Sequence, residues 1–180
     1  DVARHVAHAL AGFEKRPPLI IDPILFSSSG HPLLERRAWG VLCELFDGAA
    51  LVTPNLFEAE ALSQCDVSDE TGLRHASEYF IEECKAEAVL IKGGHREGAA
   101  DDYLARKTAS GIESSWLPGE RIPGDPVHGT GCALSAAITA QIAKGIDLIT
   151  AVSEARRFVA EAYANAIAAG AGARLLRFGL

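Results

Sequence analysis

The chain has 180 residues, 48% of them hydrophobic, and a formal net charge of −7. It is long enough to bury a sizeable core and too apolar for a disordered chain. The acidic balance argues against a nucleic-acid surface, which needs clustered Lys and Arg, and no apolar run approaches the ~18–20 residues that span a bilayer, so neither nucleic acid nor membrane is an expected partner.

Val2, Val6, Ala9, Leu10 and Phe13 keep a helical period and predict an amphipathic N-terminal helix, stopped by Gly12 and the Lys15-Arg16-Pro17-Pro18 stretch. With His5 and His8 inside its pattern, this segment reads as a helix and not as a signal peptide. The chain starts at Asp1 and contains no methionine, so a trimmed or incomplete chain is expected. "PLIID" (18–22) predicts a buried strand, followed by a loop over 23–31 and a helix over 32–47 with Pro32 at its first position. "ALVT" (50–53) predicts a second buried strand, 54–64 a loop running into a helix, and 69–86 a third long helix. "AVLIK" (88–92) predicts a third buried strand. The more polar 101–123 predicts two or three antiparallel or edge strands, and the alanine-rich 131–144 and 147–169 predict two final helices.

Strands alternating with helices imply a parallel sheet with helices on its faces. Ligands collect beyond the carboxyl ends of such strands. Three predicted strands end there in Asp22, in Thr53-Pro54-Asn55 and in Lys92-Gly93-Gly94. A carboxylate closing an apolar strand is costly unless paired, capping or metal-linked. Lys92 must reach water or an anion, and the glycines after it permit close approach of a ligand backbone. Asn55 and Glu58 stand in an N-x-x-E spacing that suits either a hydrated Mg²⁺ or a helix cap with its reciprocal acceptor, and on its own the spacing favours the cap. His95 and His128 flank these segments without metal-ligand spacing.

The segment "HGTGCALSAA" (128–137) joins a glycine-rich turn to a small, helix-favouring run. Gly129 and Gly131 let backbone N–H groups turn toward an anion, and the helix starting there adds unpaired N–H groups and a positive dipole end. Cys132 sits on the first turn, a setting typical of reactive cysteines, although a free cysteine is as often a small buried hydrophobe. Cys43, Cys65 and Cys84 read as such hydrophobes. Scattered cysteines with no C-x-x-C pair fit a reducing cytoplasm rather than a zinc site.

Taken together, "IIDPILFSSSGHPLL" (20–34), "LVTPNLFEAEAL" (51–62), "VLIKGGH" (89–95), "DDYL" (101–104) and "HGTGCALSAAITAQIAKG" (128–145) resemble, in order, the hydroxymethylpyrimidine and phosphomethylpyrimidine kinase family of the ribokinase-like superfamily. The resemblance implies a three-layer α/β fold with a mainly parallel central sheet flanked by helices. It also implies a single kinase domain over 1–180, equal to the C-terminal two-thirds of the family's usual length. The family's N-terminal part, which supplies early strands and much of the substrate pocket, is absent from this chain. The implied reaction transfers the γ-phosphoryl of ATP to hydroxymethylpyrimidine or its monophosphate in thiamine biosynthesis, by a cytoplasmic homodimer. The resemblance makes Gly129-Thr130-Gly131-Cys132 the anion hole, with Cys132 where most of the superfamily carries an aspartate base. It assigns Lys92, Asn55 and Thr53 to ATP and its phosphates, and Glu58 and Asp22 to Mg²⁺ through water. The Lys92 ammonium is expected to face phosphates and not a protein carboxylate. "PILF" replaces the family's "PVM", a conservative change. Pyridoxal kinase of the same superfamily is the alternative activity. A catalytically silent, ligand-sensing domain is the alternative of another class, and the retention of Asn55, Glu58, Lys92 and Cys132 argues against it.

Overall fold

The computed structural model describes residues 2–14, 16–27, 30–94, 100–122, 127–170 and 174–179. The chain divides into two compact units, Asp1–Gly119 and Glu120–Leu180.

The first unit opens with helix α1 (Val2–Ala11) and strand β1 (Ile20–Ile21). Helix α2 (Trp39–Phe46) leads to β2 (Leu51–Val52), α3 (Leu56–Ser63) and α4 (Glu70–Glu78). Strands β3 (Ala88–Ile91), β4 (Asp102–Thr108) and β5 (Gly111–Leu117) complete it. The sheet order is β1-β2-β3-β4-β5. β1, β2 and β3 run parallel, with Ile21 opposite Val52 and Val52 opposite Val89, whereas β4 and β5 are antiparallel additions. Within the polar 101–123 region, β4 and β5 form an antiparallel hairpin, as its composition predicts. All four residues of β3 are buried, as expected of a central strand whose sequence is continuously apolar. Val52, Val89 and Ile91 join Phe46 and Phe80 in the core, the two rings 5.8 Å apart. Each such side chain removed from water contributes about 1.5–3 kcal/mol.

Two helices of the first unit differ from expectation. The helix predicted over 32–47 starts late: Pro32 bridges to Phe26, and the N–H groups of Leu33 and Leu34 donate to the Leu25 carbonyl. A 3₁₀ turn at Arg36–Ala38 follows, and α2 begins only at Trp39. The helix predicted over 69–86 is α-helical only to Glu78, then widens to a π-helical turn at Tyr79–Glu83 in which the Cys84 N–H reaches back to the Tyr79 carbonyl. That turn brings Cys84 against α2, and Cys84 and Cys43 form a disulfide with Cα atoms 4.9 Å apart. The reading of Cys43 and Cys84 as separate apolar thiols is thereby corrected. Cys65 remains a free, half-buried thiol.

In the second unit β6 (Val127–His128) pairs in parallel with β8 (Arg174–Leu175), and β7 (Ile167–Ala168) pairs antiparallel to β8. Helices α5 (Thr130–Ala143) and α6 (Leu148–Ala164) pack on one another through small residues, Ala151 and Ala155 among those buried. Gly145, at φ +84°, turns the chain between them, and the Asp147 side chain caps α6 by accepting from the Thr150 N–H at 3.1 Å. The second helix predicted over 147–169 stops at Ala164, because Ile167 and Ala168 are drawn into strand pairing with β8. Among the described residues no helix is long and apolar enough to cross a membrane.

Candidate functional site

Parallel register places the first polar residue after each of three strands side by side. The Thr53 N–H donates to the Ile21 carbonyl at 2.9 Å, just before Asp22. The Lys92 N–H donates to the Pro54 carbonyl at 2.8 Å, and Asn55 and Lys92 form a further parallel bridge. The side chains then meet. Lys92 Nζ lies 2.7 Å from Asp22 Oδ1, and Thr53 Oγ1 donates to the same oxygen at 3.2 Å. The ion-paired side chains are only 15% (Lys92) and 10% (Asp22) exposed. Among the described residues nothing hydrogen-bonds to the second Asp22 oxygen. The expectation that Lys92 avoids protein carboxylates is corrected: a half-buried ammonium and a carboxylate on adjacent strand ends compensate one another's desolvation.

Asn55 caps α3. Its Oδ1 accepts from the Glu58 N–H at 2.9 Å, and Glu58 Oε2 accepts from the Asn55 N–H at 2.8 Å, so the reciprocal cap that the spacing favours is formed. The other Glu58 oxygen accepts from the Leu25 N–H at 3.4 Å, tying α3 to the loop after β1. Glu58 is buried, 3% exposed. Burial pushes its carboxyl above the ordinary 4.5, against the opposing pull of the Asn55 N–H and the Lys92 charge, and the Asp22 charge pushes it further up. Glu58 therefore shares a local field with Asp22 and Lys92.

This arrangement gives an expected result. Glu58→Ala, which orphans the buried N–H groups of Asn55 and Leu25, costs about 2 kcal/mol of stability in urea unfolding. Glu58→Gln serves as the pH comparator. With its folded value above 4.5, the parent binds the proton more tightly folded than unfolded. This group's contribution is fully present below 4.5 and is lost as pH rises through the raised folded value, a slope that the Gln variant lacks. Parallel stability profiles for the two would contradict this reading of Glu58.

At Gly93 the chain's own backbone makes a close approach that calls for glycine. A Cβ there would stand 1.8 Å from the Asp101 carbonyl oxygen, and the Gly93 N–H donates to Asp102 Oδ1 at 2.8 Å. The "DDYL" aspartates are thus loop fasteners, with Asp101 accepting from the Gly119 N–H at 2.8 Å. His95 lies outside the described residues, and His128 ends β6, exposed.

In the second unit, Gly129 sits at the cap position of α5 in the left-handed region, φ +86°. Nothing lies within 4 Å of the place a Cβ would take, so it is this conformation and not crowding that calls for glycine. Having no side chain, Gly129 leaves the first-turn N–H groups of Thr130, Gly131 and Cys132 without a capping partner from that position. Cys132 is the third residue of the helix, a free and exposed thiol. The alternative of a buried hydrophobe does not describe it.

A profile of the phosphomethylpyrimidine kinase family matches residues 1–177. The chain belongs to that family. A hydroxymethylpyrimidine/phosphomethylpyrimidine kinase of Staphylococcus aureus (strain MRSA252) is 37% identical over 162 residues, 88% of this chain and 57% of the relative. The chain thus spans under two-thirds of the length of such curated relatives. Among solved structures, the ADP complex of Bacillus subtilis pyridoxal kinase matches with a TM-score of 0.83 at 25% identity, over 99% of this chain and 65% of that one. Phosphomethylpyrimidine kinase from Clostridium difficile 630 matches with a TM-score of 0.73 at 28% identity, over 90% of this chain and 64% of that one. The ribokinase-like α/β fold implied by the sequence resemblance holds.

For a member of the phosphomethylpyrimidine kinase family, two features of this chain escape sequence reasoning. Thr53 bonds to Asp22, and Cys43 to Cys84. The first had a usable signal, since Asp22 and Thr53 each follow an apolar strand and those strands pair in parallel. The second had none, because the partners are 41 residues apart and obey no motif spacing.

Proposed function

We propose that the chain is part of an ATP-dependent kinase that phosphorylates hydroxymethylpyrimidine and its monophosphate in thiamine biosynthesis. The family match over residues 1–177 carries this reading. It runs through both compact units, which supports treating them as one kinase domain. The proposed compartment is the cytoplasm, which supplies ATP, and the proposed assembly is a homodimer.

Each group has a chemical task. An ammonium carries three N–H donors, so Lys92 keeps two for a phosphate while one holds Asp22. The first-turn N–H groups of α5, which Gly129 has no side chain to cap, stabilise charge on the phosphoryl oxygens, the kind of positioning on which such transfer depends. Cys132 accepts the proton of the attacking hydroxyl at its sulfur, and the hydroxyl oxygen bonds to the γ-phosphorus of ATP as the bond from that phosphorus to the bridging oxygen breaks, ADP leaving with the electron pair. Asp22, with one oxygen unbonded among the described residues, and buried Glu58 fit a hydrated Mg²⁺, which needs only one or two carboxylates. Asp22 and Glu58 would hold it through its waters, and bound there it supplies positive charge to the phosphates.

Pyridoxal kinase is the second reading, favoured by the higher TM-score to the Bacillus subtilis enzyme. ADP release in the presence of hydroxymethylpyrimidine, its phosphate or pyridoxal, each supplied separately, decides between them. Turnover with pyridoxal alone would overturn the pyrimidine assignment, and turnover with none would overturn both.

A further inference from the structure

We propose that Thr53 is a positioning residue for nucleotide binding: its buried hydroxyl fixes the Asp22 carboxylate, and that carboxylate in turn aims the Lys92 ammonium. The inference rests on the kinase reading and gives Thr53 a task other than direct contact with ATP.

The geometry is specific. Thr53 has no exposed surface. Its backbone is pinned to β1 through the Ile21 carbonyl, and its β-branched side chain is stiff about χ1. Its hydroxyl donates to Asp22 Oδ1, the same oxygen that holds Lys92. A carboxylate rotates readily about its last torsion, with broad wells. Lys92 alone would leave that rotation loosely set, since an ammonium is a point charge that accepts many orientations. The second donor, on a rigid strand end, selects one orientation. It also leaves the other Asp22 oxygen with no partner among the described residues. The hydroxyl proton is committed to Asp22, so a phosphate oxygen would have to break this bond to be met by Thr53.

The test uses the active protein with Thr53→Val, Thr53→Ser, Asp22→Asn and the Thr53→Val/Asp22→Asn pair. ADP binding is measured by calorimetry and ATP turnover by steady-state kinetics. Losing a hydrogen bond to a charged group predicts about a tenfold weaker ADP affinity for Thr53→Val, with the loss falling on KM for ATP more than on kcat. Thr53→Ser restores affinity. In the Asp22→Asn background Thr53→Val adds little, because the group through which it acts is already altered. Additive losses would overturn the proposal in favour of direct phosphate contact, as would unchanged ADP affinity in Thr53→Val. If Thr53→Val does not fold, Thr53→Ser carries the test: parent-like binding supports the hydroxyl's role, and weakened binding refutes it. A parent that binds ADP but phosphorylates none of the three alcohols refutes the kinase reading, while calorimetry still judges Thr53.

Discussion

Cys132→Ala lowers turnover by at least about a hundredfold while ATP affinity stays within roughly a factor of two. The thiol is exposed on the third residue of α5, so its removal leaves no cavity and alters stability by no more than about 0.5 kcal/mol. The backbone N–H groups of Thr130, Gly131 and residue 132 itself survive the change, and with them the helix end proposed to bind the anion. Binding and chemistry therefore separate. Cys132→Asp retains a measurable share of turnover, because a carboxylate on the same turn can also accept a proton. Near-normal turnover in Cys132→Ala would reduce the residue to a surface thiol. A matching collapse of ATP affinity would move its role from proton transfer to nucleotide binding.

The second large effect belongs to Lys92. Lys92→Ala leaves the Asp22 carboxylate, 10% exposed, with only the Thr53 hydroxyl, and breaking a buried pair from one side costs about 3 kcal/mol. The same change removes the donors proposed to face the phosphates, and ATP binding is expected to weaken. The two losses have different remedies. Adding Asp22→Asn removes the stranded charge and returns most of the stability, while ATP affinity stays low. Chemical denaturation together with nucleotide titration of the single and double variants reads both. If the double variant recovers neither, the ion pair is not the source of the instability. If Lys92→Ala binds ATP normally, its phosphate role is wrong.

The parallel part of the sheet was legible because β1, β2 and β3 are short apolar runs, and each run ends where a polar residue is placed. Asp22, Thr53 and Lys92 could be singled out for that reason alone. Their mutual bonds could not, since Asp22 and Lys92 are 70 residues apart and pair only through the parallel register. Local signals failed where tertiary contacts compete for backbone donors. Pro32 reads as a helix start, yet the Leu25 carbonyl takes the next two N–H groups and delays the helix to Trp39. Ile167 and Ala168 read as a continuation of an alanine-rich helix, but β8 offers them a strand partner. At Asn55 and Glu58 the sequence allowed a cap or a metal site, and the cap is present. The cap does not remove the carboxylate from the local field of Asp22 and Lys92.

The bond between Cys43 and Cys84 turns residues 43–84 into a covalent ring that contains β2 and the cap at Asn55 and Glu58. Within that ring Ser68, Asp69 and Glu70 are exposed at the start of α4. A protease that cuts once there opens the ring without releasing either piece. On a denaturing gel the nicked protein migrates as one species until thiol is added, and only then separates into two fragments. The piece that follows the cut, which carries Cys84 and β3, thus stays tethered to α2 after the peptide backbone between them has been severed.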